Sequence, residues 1–88
     1  MSGPTHTGRC NCGAVRVEAK EPFWGAAYCH CTVCRRRTGT AYSASVLVPA
    51  DRVRIAAGDG ALATWASATG SGKACCARCG SAVASVRP

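Results

Sequence analysis

Acidic residues and large apolar side chains are both scarce in this chain of 88 residues. The hydrophobic fraction is 48%, but most of it is Ala and Cys, and the chain has only one Met, one Phe, two Trp and two Tyr. A chain of this length forms one small domain, and so thin a core offsets little of the entropy that is lost on ordering. We therefore expect a metal or a partner subunit to contribute part of the stability.

Long apolar runs are also missing. No stretch is long enough to cross a membrane, and residues 1–8 show neither the basic nor the apolar region of a signal peptide, so we expect a cytoplasmic protein. In a reducing compartment, clustered cysteines favour metal binding over disulfide bonds. The eight cysteines are therefore interpreted mainly as metal ligands.

Basic residues outnumber acidic ones, with eleven Lys and Arg against four Asp and Glu and a formal net charge of +7. Such a charge attracts anionic partners, and both nucleic acid and a small anionic metabolite fit it. The one run of basic residues is Arg35, Arg36 and Arg37. Charge by itself does not choose between the two kinds of partner.

Three cysteines, Cys29, Cys31 and Cys34, lie immediately before the arginine run. If the chain is extended up to Cys31, the first two side chains share a side, because alternate residues of a strand share a face. A turn can then bring Cys34 to the same point, and the neighbouring arginines favour the thiolate forms. Catalytic zinc commonly has three protein ligands and structural zinc four, so three cysteines without an evident fourth ligand predict an open zinc site.

Alternation of apolar with polar residues predicts short strands, and no stretch predicts a helix. Residues 1–7 are polar, contain Pro4, and are predicted to form a flexible N-terminus ahead of a single zinc domain over residues 8–88. The predicted fold class is therefore all-β, a small zinc-stabilised fold of short antiparallel strands. The main predicted strands are residues 14–18, 40–48, 52–55, 61–65, 73–75 and 81–86.

Cysteines near the two ends of the chain form a second candidate site. Cys10 and Cys12 lead into the first predicted strand. Cys76 and Cys79 precede Gly80 in a pattern that is typical of a zinc knuckle, whereas a redox-active Cys-x-x-Cys would open a helix. Four thiolates from the two pairs would close a structural zinc site. The alternative groups the middle three cysteines with one outer cysteine, and it leaves an odd thiol elsewhere.

The order and spacing of these motifs resemble the glutathione-dependent formaldehyde-activating enzyme family, also called GFA-like, which includes centromere protein V. The resemblance spans nearly the whole chain and is carried by residues 8–15, 29–36, 38–39, 48–49, 58 and 76–81. It implies a β-tent zinc fold with structural ligands Cys10, Cys12, Cys76 and Cys79 and catalytic ligands Cys29, Cys31 and Cys34.

Two positions depart from the family pattern. Members commonly have an aromatic residue where this chain has Cys75, which we interpret as a small buried apolar residue beside a ligand. Members also usually continue with further strands where this chain stops at Pro88. A sheet edge left uncovered there predicts a homodimer.

The resemblance also implies two zinc ions per chain and glutathione as co-substrate. An enzyme of this type is a carbon-sulfur lyase, S-(hydroxymethyl)glutathione synthase, which adds the thiol of glutathione to formaldehyde. The carboxylates of glutathione would bind Arg35, Arg36 and Arg37.

Two other functions stay open. One is a degenerate structural zinc protein that has kept the fold without activity, and the other is a basic zinc module that binds nucleic acid. We rank nucleic acid last, because the aromatic residues are few and occupy strand positions at which burial is usual. These aromatic residues are Trp24, Tyr28, Tyr42 and Trp65.

Overall fold

Short β-strands make up most of the chain, which we describe over residues 3–68 and 70–86 from a computed structural model. The strands form three antiparallel sheets, in the orders β1-β2-β5, β3-β4 and β6-β7-β8. The strands are β1 (Thr5–Arg9), β2 (Val15–Lys20), β3 (Gly25–Cys29), β4 (Ser43–Leu47), β5 (Val53–Ala57), β6 (Leu62–Ala66), β7 (Gly72–Cys76) and β8 (Ala82–Val86). The predicted all-β fold class is confirmed, and the predicted strands begin and end within a few residues of the observed ones.

The described residues also contain one α-helix, α1 (Thr32–Thr38), which the sequence did not predict. Cys31 caps it, since its Sγ accepts a hydrogen bond from the backbone N–H of Cys34. The helix ends at Gly39, whose φ of 70° allows its N–H to reach the carbonyl of Arg35. Seven residues with only Cys34 buried show no helical period, so the pattern gave no signal. No described helix is long and apolar enough to span a membrane.

Part of the N-terminal segment, for which the sequence predicts flexibility over residues 1–7, lies in a strand. Thr5–Arg9 forms β1, which pairs with β2 over its whole length. The Glu21 N–H also donates to the Pro4 carbonyl at 3.1 Å, so backbone hydrogen bonds order this polar segment without any buried side chain. Met1 and Ser2 lie outside the described residues.

The strand that was predicted over residues 40–48 is shorter, because local hydrogen bonds hold its first residues in a turn. The Thr40 hydroxyl lies 2.7 Å from that of Thr38 and donates to the Tyr42 carbonyl at 2.6 Å. Threonine hydroxyls that bond nearby backbone in this way compete with strand pairing. β4 therefore begins only at Ser43.

The hydrophobic core is small and contains two cysteines. Its buried members are Cys10, Val15, Ala61 and Cys76, with exposed fractions of 4%, 0%, 0% and 1%. Val15 is the first residue of β2, and Cys76 is the last residue of β7. The core therefore lies where the first sheet meets the third, at the ends of their strands.

The prediction that the aromatic side chains are buried is wrong. Trp24 is 74% exposed, Tyr28 69%, Trp65 56% and Tyr42 44%. The physical reason is the size of the sheets: two or three short strands and one short helix leave most sheet faces of the described chain uncovered.

Candidate metal centres

Four cysteines from the two ends of the chain come together into one group, which we call the outer cluster. All four Sγ atoms lie within 4.8 Å of one another. Cys12 Sγ is 3.7 Å from both Cys10 Sγ and Cys76 Sγ. Sulfurs at about 2.3 Å from a tetrahedral zinc ion lie about 3.8 Å apart, so the geometry fits one such ion. The members of the outer cluster are Cys10, Cys12, Cys76 and Cys79.

Two similar loops present the four sulfurs. Gly13, with a φ of 83°, turns the chain so that its N–H bonds the carbonyl of Cys10 at 3.1 Å, and the N–H of Val15 then reaches Cys10 Sγ at 3.2 Å. In the second loop, Gly80, with a φ of 78°, bonds the carbonyl of Cys76 at 2.8 Å. Positive φ is easily adopted by glycine alone, and backbone N–H groups aimed at sulfur favour the thiolate.

The second loop also holds its sulfurs with hydrogen bonds and lowers the pKa of Cys79. The Arg78 and Cys79 N–H groups each lie 3.4 Å from Cys76 Sγ. The Ser81 hydroxyl, 3.2 Å from Cys79 Sγ, is the main cause that lowers the pKa of Cys79 from 9.0 to about 5. At neutral pH this cluster therefore already contains a thiolate, the form that binds metal.

The pKa values of the other two outer cysteines, Cys12 and Cys10, shift in opposite directions. The Ala14 N–H lowers the pKa of Cys12, but desolvation and the three neighbouring thiols have the larger combined effect and raise it to about 11. For Cys10, burial raises the pKa, but the Val15 N–H and the Cys12 thiol outweigh it and lower the value. Four thiols this close together share protons, and a divalent cation would remove the mutual repulsion of their thiolates.

Three further cysteines, which we call the inner cluster, meet at the N-terminus of α1. Cys29 is the last residue of β3, Cys31 caps the helix, and Cys34 lies in its first turn. The three Sγ atoms lie within 4.8 Å of one another, and the Cys29 and Cys31 sulfurs are 3.5 Å apart. Within the described residues no fourth Cys, His, Asp or Glu joins this group. Cys34 is buried and Cys31 is exposed, so one side of the cluster is open to solvent.

The helix N-terminus favours thiolate at Cys31. The Cys34 N–H is the main cause that lowers the pKa of Cys31 from 9.0 to about 7, and the neighbouring thiols lower it further. For Cys29, the Cys31 N–H lowers the pKa, but the Cys34 and Cys31 thiols raise it overall. Near neutral pH the negative charge of the cluster therefore lies mainly on the exposed Cys31, whose pKa is lowered while that of Cys29 is raised.

Aromatic rings that are close to the inner cluster in sequence contact one another. The Tyr28 and Tyr42 rings make an edge contact at 4.8 Å between centroids, and the centroid of the His30 ring lies 5.4 Å from that of Tyr42.

The three arginines of the run, which were all predicted to bind carboxylates, have different surroundings. Arg37 donates to backbone carbonyls of β7 and β8, at Ala74 and Ala84, and so fixes α1 on the third sheet. Arg35 and Arg36 are exposed.

The structure also contains a groove that the sequence did not predict. It has a volume of about 540 Å³ and is lined by α1 and by strands of the third sheet. Cys75, which belongs to neither cluster, is half-buried and lines it together with Trp65 and Lys73. Alternation along β6 and β7 was a usable signal for a shared face, but nothing in the sequence indicated that α1 would lie across it.

The predicted site residues thus fall into the two expected groups. Cysteines 10, 12, 76 and 79 lie together, and cysteines 29, 31 and 34 lie together elsewhere. A family model described as "Glutathione-dependent formaldehyde-activating enzyme" matches residues 5–87. That range contains both clusters and all eight strands. This chain therefore belongs to the glutathione-dependent formaldehyde-activating enzyme (GFA) family.

Proposed function

We propose that this protein holds two zinc ions and uses the inner one to bind the thiol of glutathione for addition to formaldehyde. The observation that carries the proposal is the inner cluster: three sulfurs within 4.8 Å, open on the side of Cys31, with no fourth protein ligand among the described residues. Three protein ligands and one free position are typical of catalytic zinc. The outer cluster, with four sulfurs of which Cys10 and Cys76 are buried in the core, supports a closed structural site.

The donor set favours thiol chemistry over hydrolysis. Zinc at the inner cluster would lower the pKa of a thiol that joins it. Three thiolates around a divalent ion leave a net negative charge, which weakens activation of water relative to exchange of thiols. In the overall reaction the glutathione sulfur forms a bond to the formaldehyde carbon, and the thiol proton ends on the formaldehyde oxygen.

The chain's own residues would orient the thiol. The Cys34 N–H holds the exposed Cys31 sulfur at the helix N-terminus, and the buried Cys34 side chain fixes the first turn of α1 against the protein. Glutathione carries two carboxylates, and the exposed guanidinium groups of Arg35 and Arg36 are suited to them. Because the exposed cluster does not exclude water, we expect binding to be easier to detect than turnover.

The test is a calorimetric titration of zinc-loaded protein with glutathione and with its S-methyl analogue. Wild type is expected to bind glutathione at least about tenfold more tightly than the S-methyl form, because only the free thiol can become a metal ligand. Cys31→Ser should lose this preference, and Cys75→Ser, which changes a cysteine outside both clusters, should keep it. If wild type binds neither compound, or both equally, the thiol mechanism is wrong and a structural zinc protein without activity takes its place.

A second candidate, a basic module for single-stranded nucleic acid, is favoured by the exposed aromatic side chains. Trp24 and Tyr28, exposed by 74% and 69%, are free to stack on bases, and the net charge of +7 favours phosphate contacts. Fluorescence anisotropy with a labelled single-stranded oligonucleotide tests it. Binding that weakens steeply with salt and falls severalfold on Trp24→Ala would support this function. Binding that Trp24→Ala leaves unchanged would exclude stacking on Trp24.

A further inference from the structure

The groove beside α1 is separate from both cysteine clusters, because none of their seven cysteines lines it. Its volume of about 540 Å³ suits a small molecule. One wall is helix α1, which contributes Val33, Arg36 and Arg37 on one helical face, since positions three and four apart lie side by side. The opposite wall is the third sheet.

Small side chains explain why the groove is hollow. On the sheet, Cys75 of β7 pairs with Ala63 of β6 on one side and with Ala82 of β8 on the other. These three line the groove and form an apolar floor. The next pair along the same face is Trp65 opposite Lys73, so a flat aromatic ring and a cation stand side by side at one end of the floor.

The charge of the groove is entirely positive. Arg36, Arg37 and Lys73 line it, and no lining residue is acidic. Arg37 Nη1 and Lys73 Nζ both donate to Ser85 Oγ, at 3.2 and 3.1 Å, so one neutral oxygen separates two cations. Within residues 3–68 and 70–86 none of the three forms an ion pair. An anion would therefore relieve repulsion that the protein leaves uncompensated.

The hydrogen bonds indicate what kind of anion fits. Arg37 uses three of its five N–H donors on Ser85 and two backbone carbonyls. Lys73 uses one of its three donors, on Ser85, and the Arg36 side chain makes no hydrogen bond among the described residues, so these two cations have the most donors left for a ligand. Two such cations match the two oxygens of a single carboxylate. The floor of Ala and Cys side chains and the Trp65 ring match a flat apolar body.

We propose that this groove binds a small organic carboxylate with a flat apolar body, the carboxylate near Lys73 and Arg36 and the body on Trp65 over the Ala63, Cys75 and Ala82 floor. Neither a thiol nor a metal takes part in this binding. The site goes beyond the proposed reaction with glutathione. Because Arg36 belongs both to the arginine run and to the groove, the test uses Lys73 and Cys75, which belong to the groove alone.

The experiment compares 4-phenylbutyrate with its uncharged amide, 4-phenylbutyramide, on the zinc-loaded protein. The Trp24→Phe variant retains Trp65 as its sole tryptophan, so its fluorescence reports on the groove. We expect saturable binding of the acid and binding of the amide that is weaker by about tenfold, the effect of one charge-assisted hydrogen bond. Lys73→Gln should remove most of this difference by weakening only the acid.

A second pair of variants tests the floor. Cys75→Phe fills the groove and should abolish binding of both compounds, whereas Cys75→Ser keeps the volume and should bind the acid as the parent does. Circular dichroism and zinc content show that each variant is folded. In the reciprocal reporter, Trp65→Phe, the remaining Trp24 should show no change in fluorescence on addition of the acid.

Three results would overturn the proposal: no saturable binding of the acid, equal affinity for acid and amide, or unchanged binding by a folded Cys75→Phe. A glutathione titration of the same samples separates this site from the proposed function. If the groove fails by one of these results, glutathione binding that Cys31→Ser abolishes and Cys75→Phe leaves unchanged would still support the thiol chemistry. If the acid binds as expected and glutathione does not bind, the groove stands and the proposed function fails.

Discussion

The outer and inner cysteine clusters are similarly compact but differ in burial, in the number of sulfurs and in how far apart their cysteines lie along the chain. In both, all sulfurs lie within 4.8 Å of one another. The outer cluster joins cysteines that are 64 positions apart, and two of its members, Cys10 and Cys76, are 4% and 1% exposed within the core. The inner cluster lies within one short segment, and its helix-capping member Cys31 is exposed.

Sulfur spacing alone does not determine the role of a cysteine cluster. A fourth ligand, burial and distant connections make the outer cluster suited to holding the fold together, because a metal there closes a long loop and occupies the centre of the core. Three ligands at an exposed helix N-terminus make the inner cluster suited to exchange of a ligand. Variants and conditions that act on one cluster and spare the other test whether the two clusters have different roles.

Complete removal of metal should have the largest effect, because the outer cluster lies at the centre of a very small core. We expect loss of strand signal and of a cooperative thermal transition, since structural zinc in small domains contributes about 10 kcal/mol or more of apparent folding free energy. Far-UV circular dichroism before and after chelation, with re-addition of zinc as the control, measures this. An unchanged spectrum and melting temperature after verified removal would mean that the core is sufficient alone.

Single substitutions should separate the two clusters. Cys76→Ser is expected to cost several kcal/mol and to prevent stable folding, because it removes a buried ligand. Cys31→Ser should cost about 1 kcal/mol or less and yield a folded protein with about one zinc ion fewer. Metal analysis together with denaturant unfolding measures both quantities.

Cys75→Ser is the matched control for these substitutions, since Cys75 belongs to neither cluster. It should retain both the stability and the zinc content of wild type. Equal damage from Cys76→Ser and Cys31→Ser would mean that both clusters are structural.

Acid should release metal from the inner cluster before the outer one. A thiol whose pKa is lowered in the folded state contributes to the stability of the fold. This contribution is complete above the ordinary pKa of 9.0 and is lost as the pH falls through the lowered value. That value is about 7 for Cys31 and about 5 for Cys79. The raised pKa of Cys12 acts against this order, but the outer cluster has a further cysteine and two of its four sulfurs belong to buried residues.

Zinc release during stepwise acidification from about pH 8 to about pH 4, followed with a chromophoric chelator, measures the order. Two separate steps are expected, and only the second should coincide with loss of circular dichroism signal. A single step that removes all metal and structure together would show that the clusters are coupled.

Self-association should have the smallest effect on either cluster. Tyr28 is 69% exposed on the sheet that leads into the inner cluster, and Trp24, just before the same strand, is 74% exposed, so a second copy has apolar side chains to cover. We predict a homodimer in light scattering, and Trp24→Ser should shift it towards monomer without loss of zinc. A monomer at high protein concentration would contradict the prediction.

Much of the sheet structure was predictable from local pattern. Alternation along Val15–Lys20 indicated a strand, because its buried and half-buried residues alternate with exposed ones. β1 gave no such signal, since all five of its residues are exposed and it joins the sheet through backbone pairing with β2. Helix α1 gave none either, because it buries a single residue.

The groups of cysteines were predictable, but their surroundings were not. Spacings of one and two residues indicated which thiols are neighbours, and Gly13 and Gly80 indicated the turns that present them. The exposure of Trp24 and Trp65 was predicted wrongly, because strand position implies burial only where a second layer covers the sheet.

Local sequence determined most of the strands and the local sets of thiols, because each depends on residues only a few positions apart, and composition determined the positive charge. Tertiary structure alone decided that Cys12 meets Cys76 across 64 positions and that α1 lies over the Cys75 face of the third sheet. Both depend on how separate sheets pack, and that packing follows from long-range closure of loops and burial of a common core rather than from any local pattern.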